Sequence, residues 1–280
     1  MHDSDGRYLL TRRRSLALLG SSGAGLLVAG TSGSFASALA RSSEGHDYVA
    51  GAATACTLTA EQEVGPFYVS YDRVREDIVG GIVGLPMELE ITVINSLTCK
   101  PIKNAAVDVW QCDPLGVYSD ESSEGSVGDT YLRGVQFTDK HGQVTFLTLY
   151  PGHYAGRTAH IHAKVHIDAG DQKKTLVGGH VSHIGQMFPP DAVNVEVFKL
   201  SPYTNDTATI VTHAEDRVWT EQHGPESQIR IKKVGNRLTK GVTGTITLAV
   251  NPKVVPAAVG VGGPDQFSSG SRRSARGDRM

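Results

Sequence analysis

The sequence predicts an all-β protein in which two sheets pack face to face as a β-sandwich with long loops. Short runs of alternating apolar and polar residues recur along the chain, which is typical of strands with one buried face. Gly, Pro, Asn and Asp bound these runs, as expected of turns. Only Pro190–Phe198 has helical character, so the regular strand–helix alternation of an α/β fold is excluded.

Six segments carry the strand pattern, with β-branched and aromatic residues at every second position. They are Leu89–Ile94, Ala106–Trp110, Val144–Leu147, His160–Val165, Ile229–Val234 and Gly244–Val250. Because successive side chains of a strand point to opposite faces, each segment can bury one face against a second sheet. Between two of these runs, Asp139–Gly142 predicts a hairpin-like turn.

The N-terminal residues 1–40 predict an export signal. Three arginines, Arg12 to Arg14, precede a weakly apolar segment that ends in Ala38-Leu-Ala40. A charged region, an apolar region and a small-residue cleavage pattern indicate a secretory signal, and the arginine pair resembles a twin-arginine signal. We therefore expect export to the periplasm or the extracellular space, with no membrane span in the mature protein. An uncleaved Arg-rich anchor is the alternative.

The rest of the chain predicts one folded domain. Residues 41–51 form a linker, residues 52–255 the sandwich, and residues 256–280 a Gly/Ser/Arg-rich tail without apolar periodicity, which we expect to be disordered. The formal net charge of the 280 residues is -2, so nothing in the overall charge favours a nucleic-acid partner.

Three cysteines allow at most one disulfide within the chain. Cys56 and Cys99 lie in turn-like contexts, whereas Cys112 follows a strand-like run and is expected to be buried. We favour a Cys56–Cys99 disulfide, with Cys99–Cys112 as the alternative.

Two histidines and two tyrosines between positions 118 and 162 predict a metal site. His160 and His162 are two residues apart on a predicted strand, so their imidazoles share a face. Tyr154 precedes them across a Pro/Gly-containing loop, and Tyr118 lies further upstream. A phenolate is a hard anionic ligand that suits trivalent iron better than zinc or copper. The histidine pair alone would fit a zinc or copper enzyme equally well.

Several segments resemble the intradiol ring-cleavage dioxygenases, a family that includes catechol 1,2-dioxygenase and protocatechuate 3,4-dioxygenase. They are Val107–Ser119, Tyr131–Asp139, Tyr150–His162, Glu63–Tyr68 and Gly185–Phe188. The resemblance runs from Cys56 to about Val250 and implies the β-sandwich of that family.

The resemblance also implies a cofactor and a reaction. Non-haem Fe(III) would be bound by Tyr118, Tyr154, His160 and His162, with a solvent hydroxide as fifth ligand. Such enzymes incorporate both atoms of O2 into a catechol-type ring and cut it between the two hydroxylated carbons, which gives a muconate-type diacid. Tyr154 corresponds to the tyrosine that leaves the iron when substrate binds.

Further residues are assigned by the same resemblance. Arg157 would stabilise negative charge that develops on the substrate ring, although a surface ion pair is an alternative role for it. Gln186 corresponds to a pocket glutamine on the O2 side. The entrance to the pocket would be shaped by Gly65, Pro66 and Tyr68.

The chain departs from the family pattern in two places. His153 stands where relatives often carry an aromatic residue such as Trp, and it could alter substrate preference or be exposed to solvent. The connection from Tyr154 to Arg157 is much shorter than in protocatechuate 3,4-dioxygenase. Substrate and subunit contacts therefore do not transfer from relatives, and a homodimer is left open.

The remaining histidines have ordinary explanations. His166 is in phase with the histidine pair, but four strand residues place it roughly 13 Å from His162, so we expect a structural role. His141, His180 and His183 lie in turn-like or Gly-containing stretches and are expected to be solvated. Trp110 is expected in the core.

Two other functions compete with the dioxygenase interpretation. One is a non-catalytic, secreted β-sandwich that binds carbohydrate or protein, and the other is a secreted zinc or copper enzyme that uses the histidine pair. Colour separates them, because tyrosinate-to-Fe(III) charge transfer makes intradiol enzymes reddish.

Overall fold

A computed structural model of the chain describes residues 57–260. The predicted signal (1–40), the linker (41–51), Cys56 and the tail from residue 261 onwards lie outside the described residues. The described residues all belong to one compact unit.

Within residues 57–260, the regular structure includes eight strands and two short α-helices. The strands are β1 Pro86–Asn95, β2 Ala106–Trp110, β3 Arg133–Phe137, β4 Gln143–Leu149, β5 Ile161–Asp171, β6 Leu176–Met187, β7 Arg230–Lys233 and β8 Val242–Val250. The α-helices are α1 Asp191–Val197 and α2 Arg217–Glu221, and short 3-10 helices occupy Ser122–Glu124, Tyr203–Asn205, His213–Glu215, Gly224–Ser227, Val234–Asn236 and Leu238–Lys240.

The strands form two four-stranded sheets, which confirms the predicted all-β sandwich. The first sheet has the order β4-β1-β8-β7, and the second has the order β3-β2-β5-β6. Neighbouring strands are antiparallel except for β1 and β8, which run parallel. The predicted histidine ligands, His160 and His162, lie at the start of β5 in the second sheet.

The main core lies between the inner faces of the two sheets. Ile91 of β1 and Phe146 of β4 meet Val109 of β2 and Val165 of β5 in one apolar cluster. These side chains occupy alternate strand positions, as the period of two requires. Full burial of each one stabilises the fold by about 1.5–3 kcal/mol.

The predicted strands all exist, with boundaries that differ by a few residues. The one that was expected to begin at His160 begins at Ile161 in the structure. Two strands were not predicted from alternation. β3 begins with a buried arginine, and β6 contains three glycines, so neither presents a regular apolar pattern.

The two α-helices differ in how far the sequence revealed them. The short helix predicted over Pro190–Phe198 is confirmed as α1. The five-residue α2 was not predicted, because a single turn is too short for an apolar period to appear. Within residues 57–260, no helix combines the length and the apolar content needed to cross a membrane.

The turn at Asp139–Gly142 exists, but the predicted hairpin is wrong. The Gly142 amide donates to the Asp139 carbonyl at 3.0 Å, which closes the turn. However, β3 and β4 belong to different sheets, so the turn forms a corner between the two layers. The Val93 amide of β1 donates to the Gly142 carbonyl at 2.7 Å, and β4 then pairs with β1.

The structure answers part of the disulfide prediction. Cys112 is free and buried, as expected, and Cys99 is disulfide-bonded. The alternative Cys99–Cys112 pairing is therefore wrong. The favoured partner, Cys56, lies outside the described residues, so the Cys56–Cys99 disulfide stays a prediction.

The outer face of the second sheet is covered by the segment that precedes β1. Its backbone bonds to both edges of the sheet: the Gln62 amide donates to the Ile184 carbonyl of β6 at 2.9 Å, and the Arg75 amide donates to the Val135 carbonyl of β3 at 3.0 Å. Between the edges, the Tyr68 ring packs on Trp110 of β2, with centroids 4.8 Å apart. This cover excludes water from a face that carries polar side chains. It contains the predicted entrance loop, and it places that loop against the strands of the candidate site.

The cover also explains one wrong prediction. His141 is exposed and His180 is partly exposed, but His183 of β6 is only 1 % exposed. Its Nδ1 lies 3.0 Å from Oε1 of Glu61, a residue of the covering segment. Glycines near His183 suggested a solvated strand, and the packing of a distant segment made it buried instead.

Candidate metal centre

The two predicted histidine ligands point at each other on the outer face of the second sheet. His160 immediately precedes β5 and His162 is its second residue, and both are 1 % exposed. Their Nε2 atoms are 3.2 Å apart. The strand geometry thus brings the two imidazoles to one point, as their spacing predicted.

Two tyrosine hydroxyls reach the same point from two loops. The hydroxyl oxygen of Tyr118 lies 3.5 Å from Nε2 of His160, and that of Tyr154 lies 3.4 Å from the same atom. Donors that each sit ~2.1 Å from one ion at angles of 90–110° are separated by ~3.0–3.5 Å. The spacing of these donor atoms therefore fits a shared metal ion.

Both histidines are held in the form that can bind a metal. Nδ1 of His160 donates to the Thr158 carbonyl at 2.7 Å, which leaves the Nε2 lone pair facing the other donors. Burial and the nearby Arg157 charge lower the pKa of His160 to about 3. Burial and the neighbouring His160 lower the pKa of His162 well below its usual value. Neutral imidazoles are the consequence.

The tyrosines are protonated unless a cation is present. Burial raises the pKa of Tyr118 well above its usual value of 10.0. Burial also raises the pKa of Tyr154 to about 12, although the Arg157 charge opposes the shift. A trivalent ion between them would favour the phenolates by direct attraction.

Tyr118 is fixed by a buried arginine that the sequence did not single out for this role. Nε of Arg133 donates to the Ser119 hydroxyl at 2.8 Å, and Nη2 donates to the Ser119 carbonyl at the same distance. The Ser126 hydroxyl donates to the Tyr118 carbonyl at 2.6 Å. The loop that carries Tyr118 is thus held on both sides of the tyrosine.

Tyr154 and Arg157 are brought together by a tight turn. The Arg157 amide donates to the Tyr154 carbonyl at 3.0 Å. Gly116 allows this turn to approach the Tyr118 loop, because a Cβ there would lie 2.3 Å from the His153 carbonyl oxygen. Its φ of +82° also favours glycine. The short connection from Tyr154 to Arg157 therefore lies directly against the loop that carries Tyr118.

The predicted entrance residues divide between two places. Gly65 touches the centre: it has a φ of +72°, and a Cβ at this position would lie 3.2 Å from Cε1 of His162. Pro66 is exposed beside it. Tyr68 faces the layer behind His162, where its hydroxyl donates to Asp108 at 3.0 Å.

Phe67, which the sequence argument passed over, contacts both tyrosines. Its ring stacks on Tyr118 with centroids 4.5 Å apart, and it meets Tyr154 edge-on at 5.5 Å. Nη1 of Arg133 donates to its carbonyl at 2.8 Å. In the sequence, the only indication that Phe67 lies beside the tyrosines is its position between Pro66 and Tyr68 in the entrance motif.

His162 is supported by stacking. Trp110, its cross-strand partner on β2, lies parallel to the imidazole with centroids 4.7 Å apart and an interplanar angle of 7°. Among the described residues, Nδ1 of His162 has no hydrogen-bond partner. Trp110 is buried, as predicted, and it packs beneath the candidate site.

A buried polar row continues behind Trp110. Asp108 and Lys164 are cross-strand partners, and Nζ of Lys164 lies 3.2 Å from the centroid of the Tyr68 ring. Burial raises the pKa of Asp108 to about 7 and lowers that of Lys164 to about 8, and each charge opposes the other's shift. His166 ends the row as a buried residue. No contact joins it to the four donors, consistent with the structural role expected.

Arg157 connects one tyrosine to two other polar side chains. Nη1 donates to the Tyr154 hydroxyl at 3.4 Å, Nη2 donates to Oε1 of Gln186, and Nε donates to Oδ2 of Asp216 at 2.8 Å. Gln186 in turn donates to the Glu63 carbonyl at 2.9 Å. Arg157 does form an ion pair, but its partner Asp216 is completely buried, unlike the surface pair considered from sequence.

Asp216 was missed by the sequence argument. Its Oδ2 also accepts from the Thr158 amide at 2.9 Å, and Oδ1 accepts from the Trp219 amide at 3.0 Å. Burial alone would raise its pKa, but the Arg157 charge and these hydrogen bonds outweigh burial and lower the pKa. The only local sign of Asp216 was its position before a short helix, where an Asp is a common N-cap, so no local pattern indicated a contact with Arg157.

His153 is buried, so the interpretation of this residue as solvent-exposed is wrong. Only 4 % of the side chain is exposed. Its Nε2 lies 3.5 Å from Oδ2 of Asp206, and its ring centroid lies 4.6 Å from that of Phe198. The side chain therefore fastens the Tyr154 loop to the segment that follows α1.

The chemistry of the donor set is unusual for a protein metal site. Among residues 57–260, no three His, Cys, Asp or Glu side chains gather in a metal-binding group. The four convergent donors instead pair two imidazoles with two phenols. Such a donor set suits a hard trivalent ion, whereas structural zinc sites typically use cysteine and histidine ligands.

Comparison with known proteins identifies the family. A family model described as "Dioxygenase" matches residues 64–178. A solved intradiol ring-cleavage dioxygenase from Tetranychus urticae is 33 % identical, with a TM-score of 0.63, and the match covers 72 % of this chain and 98 % of that one. The chain belongs to the intradiol ring-cleavage dioxygenase family. Membership supports an oxidoreductase function and catechol-type ring cleavage in general.

Two curated relatives match this chain over a shorter stretch. Hydroxyquinol 1,2-dioxygenase of Rhodococcus opacus is 34 % identical over 93 residues, which is 32 % of this chain and 30 % of the relative. Catechol 1,2-dioxygenase of Candida albicans is 32 % identical over 101 residues, or 34 % and 33 % of the two chains. The matched region thus spans about a third of each curated relative's length.

Proposed function

We propose that the protein uses non-haem Fe(III) and O2 to cleave a catechol-type ring between its two hydroxylated carbons, which gives a muconate-type diacid. Family membership supports this reaction class. The observation that carries the proposal is the convergence of four donor atoms, in which two tyrosine oxygens and one imidazole nitrogen lie within 3.5 Å of Nε2 of His160.

The residues around this point fit ferric iron. Tyr118, Tyr154, His160 and His162 would hold it, because two phenolates offset much of its charge and two neutral imidazoles complete the protein ligands. When bound, Fe(III) supplies Lewis acidity and makes the bound catechol reactive toward O2. The buried, neutral state of the histidines is the form this role requires.

The two tyrosines are suited to different tasks. Tyr118 is fully buried and clamped through Ser119, whereas Tyr154 is half-buried on a short turn and accepts a hydrogen bond from Arg157. Tyr154 would therefore be the ligand better suited to dissociate and to take a proton from a substrate hydroxyl. This difference between the tyrosines supports the proposal that Tyr154 is the dissociable ligand.

Arg157 and the entrance loop would act on the substrate directly. The guanidinium keeps its positive charge at any ordinary pH, and it can stabilise negative charge on the ring in the transition state. Gln186, which accepts a hydrogen bond from Arg157, would help to orient it. Gly65 and Pro66 would shape the entrance, and Phe67 packs its apolar ring against both tyrosines.

Iron loading and product analysis test the proposal. The iron-loaded protein should absorb in the visible range, consume one O2 per catechol, and give a product whose mass equals substrate plus O2. A panel of catechol, protocatechuate, hydroxyquinol and larger diols would define the substrate. A zinc- or copper-loaded protein that turns over without the tyrosinate-to-Fe(III) band would favour the metalloenzyme alternative. A protein that binds none of these metals would favour the binding module.

We also propose that the chain is exported through the twin-arginine-like segment in residues 1–40, which rests on the sequence alone. Replacing Arg12 and Arg13 by lysine in the full chain should retain the protein in the cytoplasm. Cell fractionation with immunodetection measures this. Unchanged export would contradict the twin-arginine assignment.

A homodimer is a separate possibility, which measurements of molecular mass in solution would test.

A further inference from the structure

A buried carboxylate stands behind the active-site arginine. Asp216 is 0 % exposed and accepts from Nε of Arg157, while the two Nη atoms of the same guanidinium donate to Tyr154 and Gln186. All three nitrogens of the planar group are therefore engaged. The group that would act on the substrate is aimed by contacts on three sides.

We propose that Asp216 is the positioning residue that aims Arg157 at the Tyr154 hydroxyl and at the substrate ring. This inference deepens the proposed function and rests on it. Asp216 is not one of the four donors. Its contacts on this side of the site are with the Arg157 guanidinium and the Thr158 amide, and its effect on the substrate would be transmitted through Arg157.

The geometry of the guanidinium supports this assignment. The Arg157 side chain reaches its partners through several rotatable bonds, so a hydrogen bond to Nη1 alone would leave the plane of the group free to turn. A bond at Nε fixes the plane, and the Nη atoms then point away from Asp216 toward Tyr154 and Gln186. A misplacement of about 1 Å at such a group can cost ~10²-fold in rate.

Asp216 is itself held rigidly. Its Oδ2 also accepts from the Thr158 amide, two residues before His160, and its Oδ1 caps α2 by accepting from the Trp219 amide. The Trp219 ring stacks on His213 with centroids 3.7 Å apart. One carboxylate therefore links the turn that carries Arg157 to a packed helix start, and the position of that helix is transmitted to the guanidinium.

The charges of the pair also match the role. Asp216 is the ion-pair partner of Arg157 in a site from which water is largely excluded, where a charge pair interacts strongly. Only 13 % of the arginine side chain is exposed. Without the carboxylate, this buried cation would turn toward solvent or toward another acceptor. Either movement would take Nη1 away from Tyr154.

The decisive variant is Asp216→Asn, measured on the iron-loaded protein. Asn keeps the shape and can still cap a helix, but one oxygen becomes an NH2 group that faces the donors of Arg157 or Trp219. We expect iron content close to wild type, kcat per bound iron ~10–100-fold lower, and a smaller change in KM. The visible band should shift, because the hydrogen bond from Arg157 to Tyr154 is lost. Wild-type kcat per iron with an unshifted band would overturn the proposal.

A double-mutant cycle separates positioning from a merely structural role. In an Arg157→Ala background, which should itself lower kcat per iron by ~10²–10³-fold, Asp216→Asn should cause less than about a twofold further change. An equal loss in both backgrounds would mean that Asp216 acts independently of Arg157, and it would overturn the proposal. Asp139→Asn, which also removes a turn-capping carboxylate but far from the site, is the matched control and should leave kcat per iron unchanged.

Arg157→Lys gives the answer even if Asp216→Asn fails to fold. Lysine keeps the charge, but a single ammonium on a flexible stem cannot be aimed by Asp216 as the planar fork is. We expect a loss of kcat per iron close to that of Arg157→Ala. Wild-type turnover in Arg157→Lys would overturn the proposal.

Failure of the proposed function is distinguishable from failure of this inference. A wild-type protein that binds Fe(III) but consumes no O2 with any catechol contradicts the proposed reaction. The shift of the visible band in Asp216→Asn would still report whether the carboxylate orients Arg157 against Tyr154.

Discussion

The two sheets of the sandwich share one core but use their outer faces in opposite ways. On β1 of the first sheet, buried and partly or fully exposed residues alternate, and Glu88 and Glu90 point toward solvent. On β2 of the second sheet, every residue is buried, and so are the first seven residues of β5. The outer face of the second sheet nevertheless carries Asp108, His162, Lys164 and His166.

The comparison indicates where this fold can place chemistry. A polar side chain on the outer face of the first sheet, such as Glu90, is hydrated and has little effect on its neighbours. The same type of side chain on the second sheet lies beneath the segment before β1 and the loops that carry Tyr118 and Tyr154, where desolvation shifts pKa values and strengthens ionic contacts. A metal centre and its supporting groups therefore belong on the covered face.

The largest expected effect comes from removing one donor on the covered face. In Tyr118→Phe, we expect loss of most of the iron and of the visible band, and a ~10³-fold or greater fall in turnover, because an anionic ligand to a trivalent ion is gone. Iron analysis and absorption spectra measure this. Tyr150→Phe is the matched control, since Tyr150 is equally buried but donates to Asn194 in the main core. Unchanged iron and colour in Tyr118→Phe would remove Tyr118 from the ligand set.

The next effect concerns the buried charges behind Trp110. Lys164→Met removes the cation that faces Asp108 and leaves that carboxyl buried, with the Tyr68 hydroxyl donating to it. Breaking such a buried pair destabilises proteins by about 3–5 kcal/mol. Denaturant unfolding at neutral pH measures the loss. A change in the free energy of unfolding below about 1 kcal/mol would mean that the covered face is more hydrated than the packing indicates.

His166 should make stability depend on pH. Burial, with the Lys164 and His180 charges, lowers its pKa to about 4 from the ordinary 6.5. The unfolded chain therefore binds a proton first, so the stability contributed by His166 is complete above pH 6.5 and is lost as the pH falls toward 4. The difference amounts to about 3 kcal/mol.

Comparing His166→Leu with wild type in denaturant titrations from pH 7 to pH 4 measures this term. The variant should lose less stability than the wild-type protein over this range, whereas replacement of the exposed His141 by Gln should change nothing. Parallel pH curves for His166→Leu and wild type would show that the His166 ring is solvated in solution.

The smallest effect is expected on the open face of the first sheet. Glu90 is exposed on β1 and lies opposite Thr145 of β4 and Thr245 of β8. Glu90→Gln should change the free energy of unfolding by no more than ~0.5 kcal/mol. A much larger loss in the same denaturant assay would indicate that this face is covered in solution, for example by a second copy of the chain.

The contrast between the sheets also explains what sequence reasoning could reach. Alternation identified all four strands of the first sheet, where one face is open and polar, but only β2 and β5 of the second sheet. It missed β3 and β6 of the second sheet, where a buried arginine and three glycines break the pattern. The turn after β3 was recognised as a turn but not as a corner between layers, because strand partners are chosen by packing.

Within the site, contacts between residues close in sequence could be predicted, and contacts between distant residues could not. His160 and His162 were found because two residues on one strand share a face, and the tyrosines were found through the family resemblance. Asp216 meets Arg157 across 59 residues, and Arg133 holds the Phe67 carbonyl across 66. Neither contact leaves a local pattern. His183 was wrongly assigned to solvent, and the solvent-exposed alternative for His153 was wrong, for the same reason: the groups that cover these residues are distant in sequence.

By itself, the amino-acid order determined the strand periods and the facing histidines, because these depend on local backbone geometry, and its motifs led to the phenolic donors through the family resemblance. The tertiary structure alone decided that the second sheet is buried on both faces, that Trp110 stacks on His162, and that Asp216 meets Arg157. These features depend on which distant segments exclude water from one another, a cooperative outcome that no short window of sequence contains.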